Sequence, residues 1–181
     1  INKLTDVVIT YDFDDCTETV DRDIIKNWLT TDENGLYILD QKQTEAYISE
    51  LAAKYDTVGT ERTFNTYDGR EITVGGGNYG WQIDQKEEVK ELTGLIKNGE
   101  TQVREPVYSH KGLVRKTNDI GYTYIEIDLT AQRMVFYKDG TPIADAQIVS
   151  GNPFVPNCAT PAGCYTTGEI KSGYTVNGED Y

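Results

Sequence analysis

The chain has 181 residues, enough for one mid-sized domain or two small ones, and its 38% hydrophobic and 26% charged residues place it among folding sequences. Its 17 Lys and Arg against 30 Asp and Glu give a formal charge of −13, a field that repels phosphate backbones and anionic lipid and argues against nucleic acid as a partner. No run approaches the roughly 20 apolar residues of a membrane span, and the opening INKLTDVVITYD is not a signal peptide.

From the start, apolar and polar residues alternate between Leu4 and Phe13, which predicts a half-buried strand. Asp21 is placed to cap a short helix through Ile24, Ile25, Trp28 and Leu29. A turn at Glu33-Asn34-Gly35 precedes a second helix from about Asp40, with Ala46, Tyr47, Leu51 and Tyr55 as its expected apolar face. Thr63, Phe64 and Thr66, then Asp68-Gly69, then Ile72 and Val74 read as a hairpin with a tight turn. Asp84 with Glu87 three residues on is a capping-box signature. Val89, Leu92, Leu95 and Ile96 form the buried stripe of the helix it opens, which Asn98-Gly99 ends. Val103 to Ser109, interrupted by Pro106, reads as an edge strand.

Beyond Tyr122 the pattern is strands only: Tyr124–Leu129, Met134–Tyr137 and Ile143–Val149, separated by Thr130-Ala131-Gln132 and Lys138-Asp139-Gly140. The fold expected is therefore an α+β N-terminal domain, residues 1–121, followed by an all-β segment, residues 122–181.

Chemistry is sparse. His110 is the only histidine, and a catalytic histidine needs a nucleophile to activate and a third group to orient it. One histidine and no C-x-x-C pair argue against zinc, and no cofactor is expected. Cys158 and Cys164 bracket Ala-Thr-Pro-Ala-Gly; a small disulfide loop and two free thiols are both open readings, while Cys16 lies far off. Gly75, Gly77 and Gly80 match G-x-G-x-x-G literally, but the strand before them returns from a hairpin and the helix starts only at Asp84, so a dinucleotide site is not expected. Tyr79 and Trp81, with Asn78 and Gln82 beside them, are candidates for stacking on a sugar, against the commoner role of such rings in packing. Asp12, Asp14 and Asp15 have no spacing that nominates a glycosidase pair.

The stretch RTFNTYDGREITVGGGNYGWQID, residues 62–84, resembles the peptidoglycan-binding domain found upstream of L,D-transpeptidase domains in Firmicutes. REPVY at 104–108 and NDIG at 118–121 continue that pattern. YIEIDLTAQRMVFYKDG at 124–140, VSGN at 149–152 and TPAG at 160–163 resemble the opening of the YkuD-type catalytic domain.

What the resemblance implies is a β-sandwich enzyme of the Gram-positive wall. Its cysteine forms a thioester with one peptidoglycan stem peptide and passes the acyl group to another in a 3→3 cross-link. The family's nucleophile sits in a Ser-His-Gly-Cys block, which does not occur through Tyr181, so no residue here is assigned a catalytic role and the chain alone is expected to be inactive. The start without methionine suggests a piece of a longer, membrane-anchored extracellular protein. Expected partners are peptidoglycan stem peptides or glycan, and a second copy through the strand edges of an incomplete sandwich. The alternatives are a non-catalytic wall-binding module that uses Asn78, Tyr79 and Trp81, or a spacer.

Overall fold

Alternation in the first strand sets the core. In a computed structural model that describes residues 2–115 and 119–168, with short strands at 175–176 and 179–180, Val7, Ile9, Tyr11 and Phe13 are all buried while Val8, Asp12 and Asp14 face out. The strand itself, β1, is Ile9–Asp12; the residues before it form a single helical turn, α1 (Asn2–Thr5), where continuous strand was expected. β1 pairs antiparallel with β2 (Thr17–Val20). Asp21 then accepts from the backbone N–H groups of Asp23 and Ile24 and opens α2 (Arg22–Ile25), which tightens into a 3₁₀ turn at Lys26–Trp28.

Leu29, expected in the helix, instead opens β3 (Leu29–Thr31), which pairs with β4 (Tyr37–Leu39) in a small hairpin around the turn expected at Glu33-Asn34-Gly35. Asp32 organises its turn, accepting from the backbone N–H groups of Asn34 and Leu36 at 2.9 Å each. Helix α3 (Gln41–Tyr55) buries Thr44, Ile48, Leu51 and Ala52, a stripe rotated from the expected one, so that Ala46 lies on the outside.

β5 (Arg62–Asn65) and β6 (Glu71–Val74) form the predicted hairpin. Its turn is a three-residue loop with only Gly69 at positive φ (81°), rather than a two-residue turn with both central residues there. β7 (Gln82–Ile83) leads into α4 (Gln85–Asn98), where Asp84 accepts from the N–H of Glu87. Only half of the capping box forms, because the N–H of Asp84 donates to Val107 O at 2.8 Å. Gly99 ends the helix in the left-handed region at φ 78°.

Pro106 splits the expected edge strand in two. β8 (Gln102–Arg104) runs parallel to β1, and β9 (Tyr108–His110) pairs antiparallel with β7. One apolar core joins β1, β2, α2, α3 and α4, from Tyr11 and Phe13 through Ile48 and Leu51 to Leu92 and Ile96.

The second half is a three-stranded antiparallel meander of β10 (Tyr124–Asp128), β11 (Arg133–Lys138) and β12 (Thr141–Gln147), as the sequence pattern predicts. The short strands β13 (Thr175–Val176) and β14 (Glu179–Asp180) pair with each other. The chain is thus an α+β unit followed by a β-rich segment.

Candidate functional site

The two halves meet along a seam built from the hairpin β5–β6, the glycine-rich loop and residues 111–115 and 119–121. At its centre Arg62, the first residue of β5, forms a two-pronged ion pair with Asp119: Nε to Oδ1 at 2.5 Å and Nη2 to Oδ2 at 2.8 Å. Both side chains are 4% exposed. The remaining guanidinium donors reach the carbonyls of Thr60 at 3.0 Å and Thr57 at 2.8 Å, and the Thr57 hydroxyl donates to Asp119 at 2.5 Å. Burial pushes the Asp119 carboxyl up, but the Arg62 fork and the Thr57 hydroxyl outweigh it and hold the group below its usual value.

Tyr79 and Trp81 serve the same seam. The Tyr79 hydroxyl donates to Asp119 O and accepts from Leu113 N, while Trp81 Nε1 donates to Val114 O at 2.8 Å. The Arg62 guanidinium lies 5.6 Å from the Tyr79 ring centre, and the edge of Tyr108 meets Trp81 at 5.0 Å. Asn78 is exposed and accepts from Thr166 N at 3.0 Å. Beside Trp81, the guanidinium of Arg115 sits among Phe13, Tyr55, Trp81 and Tyr108 at 4.9 to 5.9 Å, with its two Nη atoms unbonded among the described residues.

β6, which precedes the glycines, is one arm of an antiparallel hairpin, as the sequence pattern predicts. Gly77 instead bridges in parallel fashion to Cys164, and a side chain there would place Cβ 1.9 Å from Cys164 O. Cys164 N donates to Gly76 O and Tyr79 N donates to Cys164 O, each at 3.1 Å. Cys158 and Cys164 are both free, and so is Cys16. Cys164 is drawn to the glycine loop, while Cys158 N closes a separate turn on Val155 O. Burial pushes the Cys164 thiol up, only partly offset by Arg62. His110 is exposed at the end of β9, where it bonds Gln82 at 2.9 Å and Ser109 at 3.3 Å.

The hairpin also docks on one face of the meander. Phe64 meets Tyr124 edge-on at 5.5 Å, Tyr67 N donates to both Glu126 oxygens, Arg70 pairs with Asp128 at 2.7 Å, and Arg133 lies 4.4 Å over the Tyr67 ring. Farther along, the VSGN and TPAG stretches come together. Gly151 N donates to Thr160 Oγ1 at 2.8 Å, and Gln132 holds Ser150 by two hydrogen bonds. They border a cavity of about 350 Å³.

Sequence reasoning did not find Arg62, Asp119 or Arg115, nor Glu88, which is fully buried in α4. Glu88 accepts from Tyr11 at 2.6 Å and Val107 N at 2.6 Å, and pairs with Arg104. Each is a charged group whose surroundings come from distant parts of the chain, and spacing along the chain carries no signal for that. A second concavity, a groove of about 1010 Å³ between α3 and α4, could have been suspected from the lysines spaced along α4. Among the described residues no group of His, Cys, Asp and Glu could hold a metal, and no helix is long and apolar enough to cross a membrane.

Residues 1–104 match the family described as "Putative peptidoglycan binding domain". A solved structure described as the "Ldtfm-avibactam carbamoyl enzyme" superposes with a TM-score of 0.67 at 32% identity, over 99% of this chain and 70% of that one. The L,D-transpeptidase of Enterococcus faecium, solved as a cysteine-to-serine mutant, gives a TM-score of 0.62 at 32% identity, over 99% of this chain and 72% of its own. The chain belongs to the L,D-transpeptidase family. No curated protein sequence matches it. With this membership the resemblance in residues 62–84 and the seam become one observation, since the motif that marks the wall-binding domain of this transpeptidase chain is also its contact with the β-rich half. Its role is peptidoglycan-associated, at the cell wall.

Proposed function

We propose that these residues are the substrate-holding part of a peptidoglycan L,D-transpeptidase, with a peptidoglycan-binding domain at 1–121 and the opening portion of the YkuD-type catalytic domain at 122–181. In the reaction, a cysteine thiolate attacks the carbonyl after the third residue of a tetrapeptide stem and expels the terminal D-alanine as its amine. The acyl group then passes from sulfur to the side-chain amine of a neighbouring stem, leaving a 3→3 cross-link and a free thiol. The observation that carries the reading is the 32% identity with L,D-transpeptidases over 99% of the chain.

Bond making is not assigned to Cys16, Cys158 or Cys164: among the described residues His110 bonds Gln82 and Ser109 rather than a thiol, and burial disfavours the Cys164 thiolate. The setting we assign is the Gram-positive wall outside the membrane, where an anchor upstream of these residues would hold the enzyme. A second copy of the chain is a further partner, through the open face of the meander.

Co-sedimentation with purified sacculi tests the binding role. Retention of the chain in the pellet, and its release by stripping stem peptides with an amidase, is the expected result. A chain left in the supernatant would reduce this half to a spacer.

A further inference from the structure

We propose that the groove between α3 and α4 is the site that takes the carboxylate-bearing stem peptide, an inference that rests on the wall-binding reading above. The helices pack through Ile48, Leu51 and Ala52 on one side and Leu92, Leu95 and Ile96 on the other, leaving a groove of about 1010 Å³ between their outer shoulders. Lys86, Lys90, Thr93, Gly94 and Lys97 all line it from α4. Steps of three and four residues put them on one helix face, which runs about 18 Å from Gln85 to Lys97 at ~1.5 Å per residue. That length accommodates roughly five residues of extended peptide.

Charge identifies the occupant. The protein carries −13 overall, yet Lys42, Lys86, Lys90 and Lys97 line this groove against two carboxylates, Glu45 and Glu87. Glu87 is engaged by Lys90 at 3.0 Å and Glu45 accepts from Gln41 at 2.7 Å. Lys42, Lys86 and Lys97 have no ion-pair partner among the described residues. In so acidic a molecule this is a local well for an anion, and a peptide stem presents carboxylates along an extended chain.

The floor fits a close approach. Ala46, Ser49, Thr93 and Gly94 are small, and a Cβ on Gly94 would enter open space. Glycine weakens a helix interior relative to alanine, and here no neighbouring atom requires it. The space is explained by a backbone lying against α4. The face is separate from the seam, so a bound stem would leave the contact between the two halves intact.

Amide chemical shifts of the full chain are to be titrated with a synthetic stem tetrapeptide carrying free carboxylates, with its fully amidated twin, and with a polyribitol phosphate. The expected result is shifts at Lys42–Ser49 and Lys86–Lys97 with the free peptide alone, weakened by added salt. Affinity should fall roughly tenfold in the exposed double variant Lys86→Glu, Lys97→Glu. Equal binding of the amidated peptide, shifts confined to Asn78–Trp81, or a response to the phosphate polymer alone would overturn the proposal. Sacculi separate it from the reading beneath it. If parent and double variant are retained equally, the groove fails and wall binding stands; if neither is retained, both fail.

Discussion

At the residue scale the decisive group is Arg62. A charge at the head of a strand in an acidic chain reads as solvated, yet its guanidinium is buried and satisfied by Asp119, Thr57 and Thr60. A buried pair of this kind contributes little relative to an apolar replacement, but losing one member leaves the other charged and desolvated. Arg62→Ala should therefore destabilise the chain by about 3–5 kcal/mol in urea unfolding, and Arg62→Lys should not rescue it, since an ammonium lacks the planar fork. The pair also sets a pH response. Asp119 is held below its unfolded value of about 3.9, so its contribution is complete above that pH and disappears as pH falls through the lower folded value. Melting temperatures followed into acid should thus drop less steeply for Asp119→Asn than for the parent, from a lower plateau at neutral pH. Parallel curves would mean that Asp119 titrates the same way folded and unfolded.

At the element scale, what was legible in the sequence is what local chemistry decides. Asp21 and Asp84 cap their helices and Gly99 ends α4, because caps are settled within a turn of chain. The meander strands followed from alternation and turn residues. The buried face of α3 was misplaced toward Ala46 because packing against α4, not periodicity alone, selects Ile48 and Ala52. β3 and β4 were missed because three-residue strands carry too little pattern. The seam was out of reach for another reason: Arg62 and Asp119 lie 57 positions apart, and nothing local marks either. The glycine loop lay between these cases, since its departure from a dinucleotide motif was readable while its contact with Cys164 was not. Gly77→Ala tests that contact. It would add strain at φ 81° and set Cβ against Cys164 O. The amides of Tyr79 and Cys164 should then exchange much faster, while those of Leu92 to Ile96 in α4 keep their protection. Unchanged exchange at Tyr79 would show that the loop and residues 158–168 do not depend on each other.

At the scale of the whole molecule, the meander has two faces with different fates. Tyr124, Glu126, Asp128 and Arg133 point to the hairpin and are engaged by it. The register places Ile125 opposite Phe136 and Ile127 opposite Met134 on the other face, with Ala144 and Ala146 beyond them. There Ile125 is 45% and Ile127 52% exposed, and every residue of β12 at the sheet edge is exposed. A contiguous apolar sheet face with an open edge gains free energy when another surface covers it. A second copy of the chain can do so in an isolated preparation. Sedimentation velocity should then show association that grows with protein concentration across the micromolar to millimolar range. Ile127→Glu places a carboxylate on the bare face, and it faces away from Glu126 and Asp128, so the hairpin contact should survive. The variant should sediment as a monomer at the same concentrations while keeping the parent's melting temperature. If the parent is already monomeric throughout, the face is stable in water and self-association is ruled out as its use. If the variant associates as the parent does, the contact lies at the edge of β12 instead, and the backbone rather than the isoleucines holds the copies together.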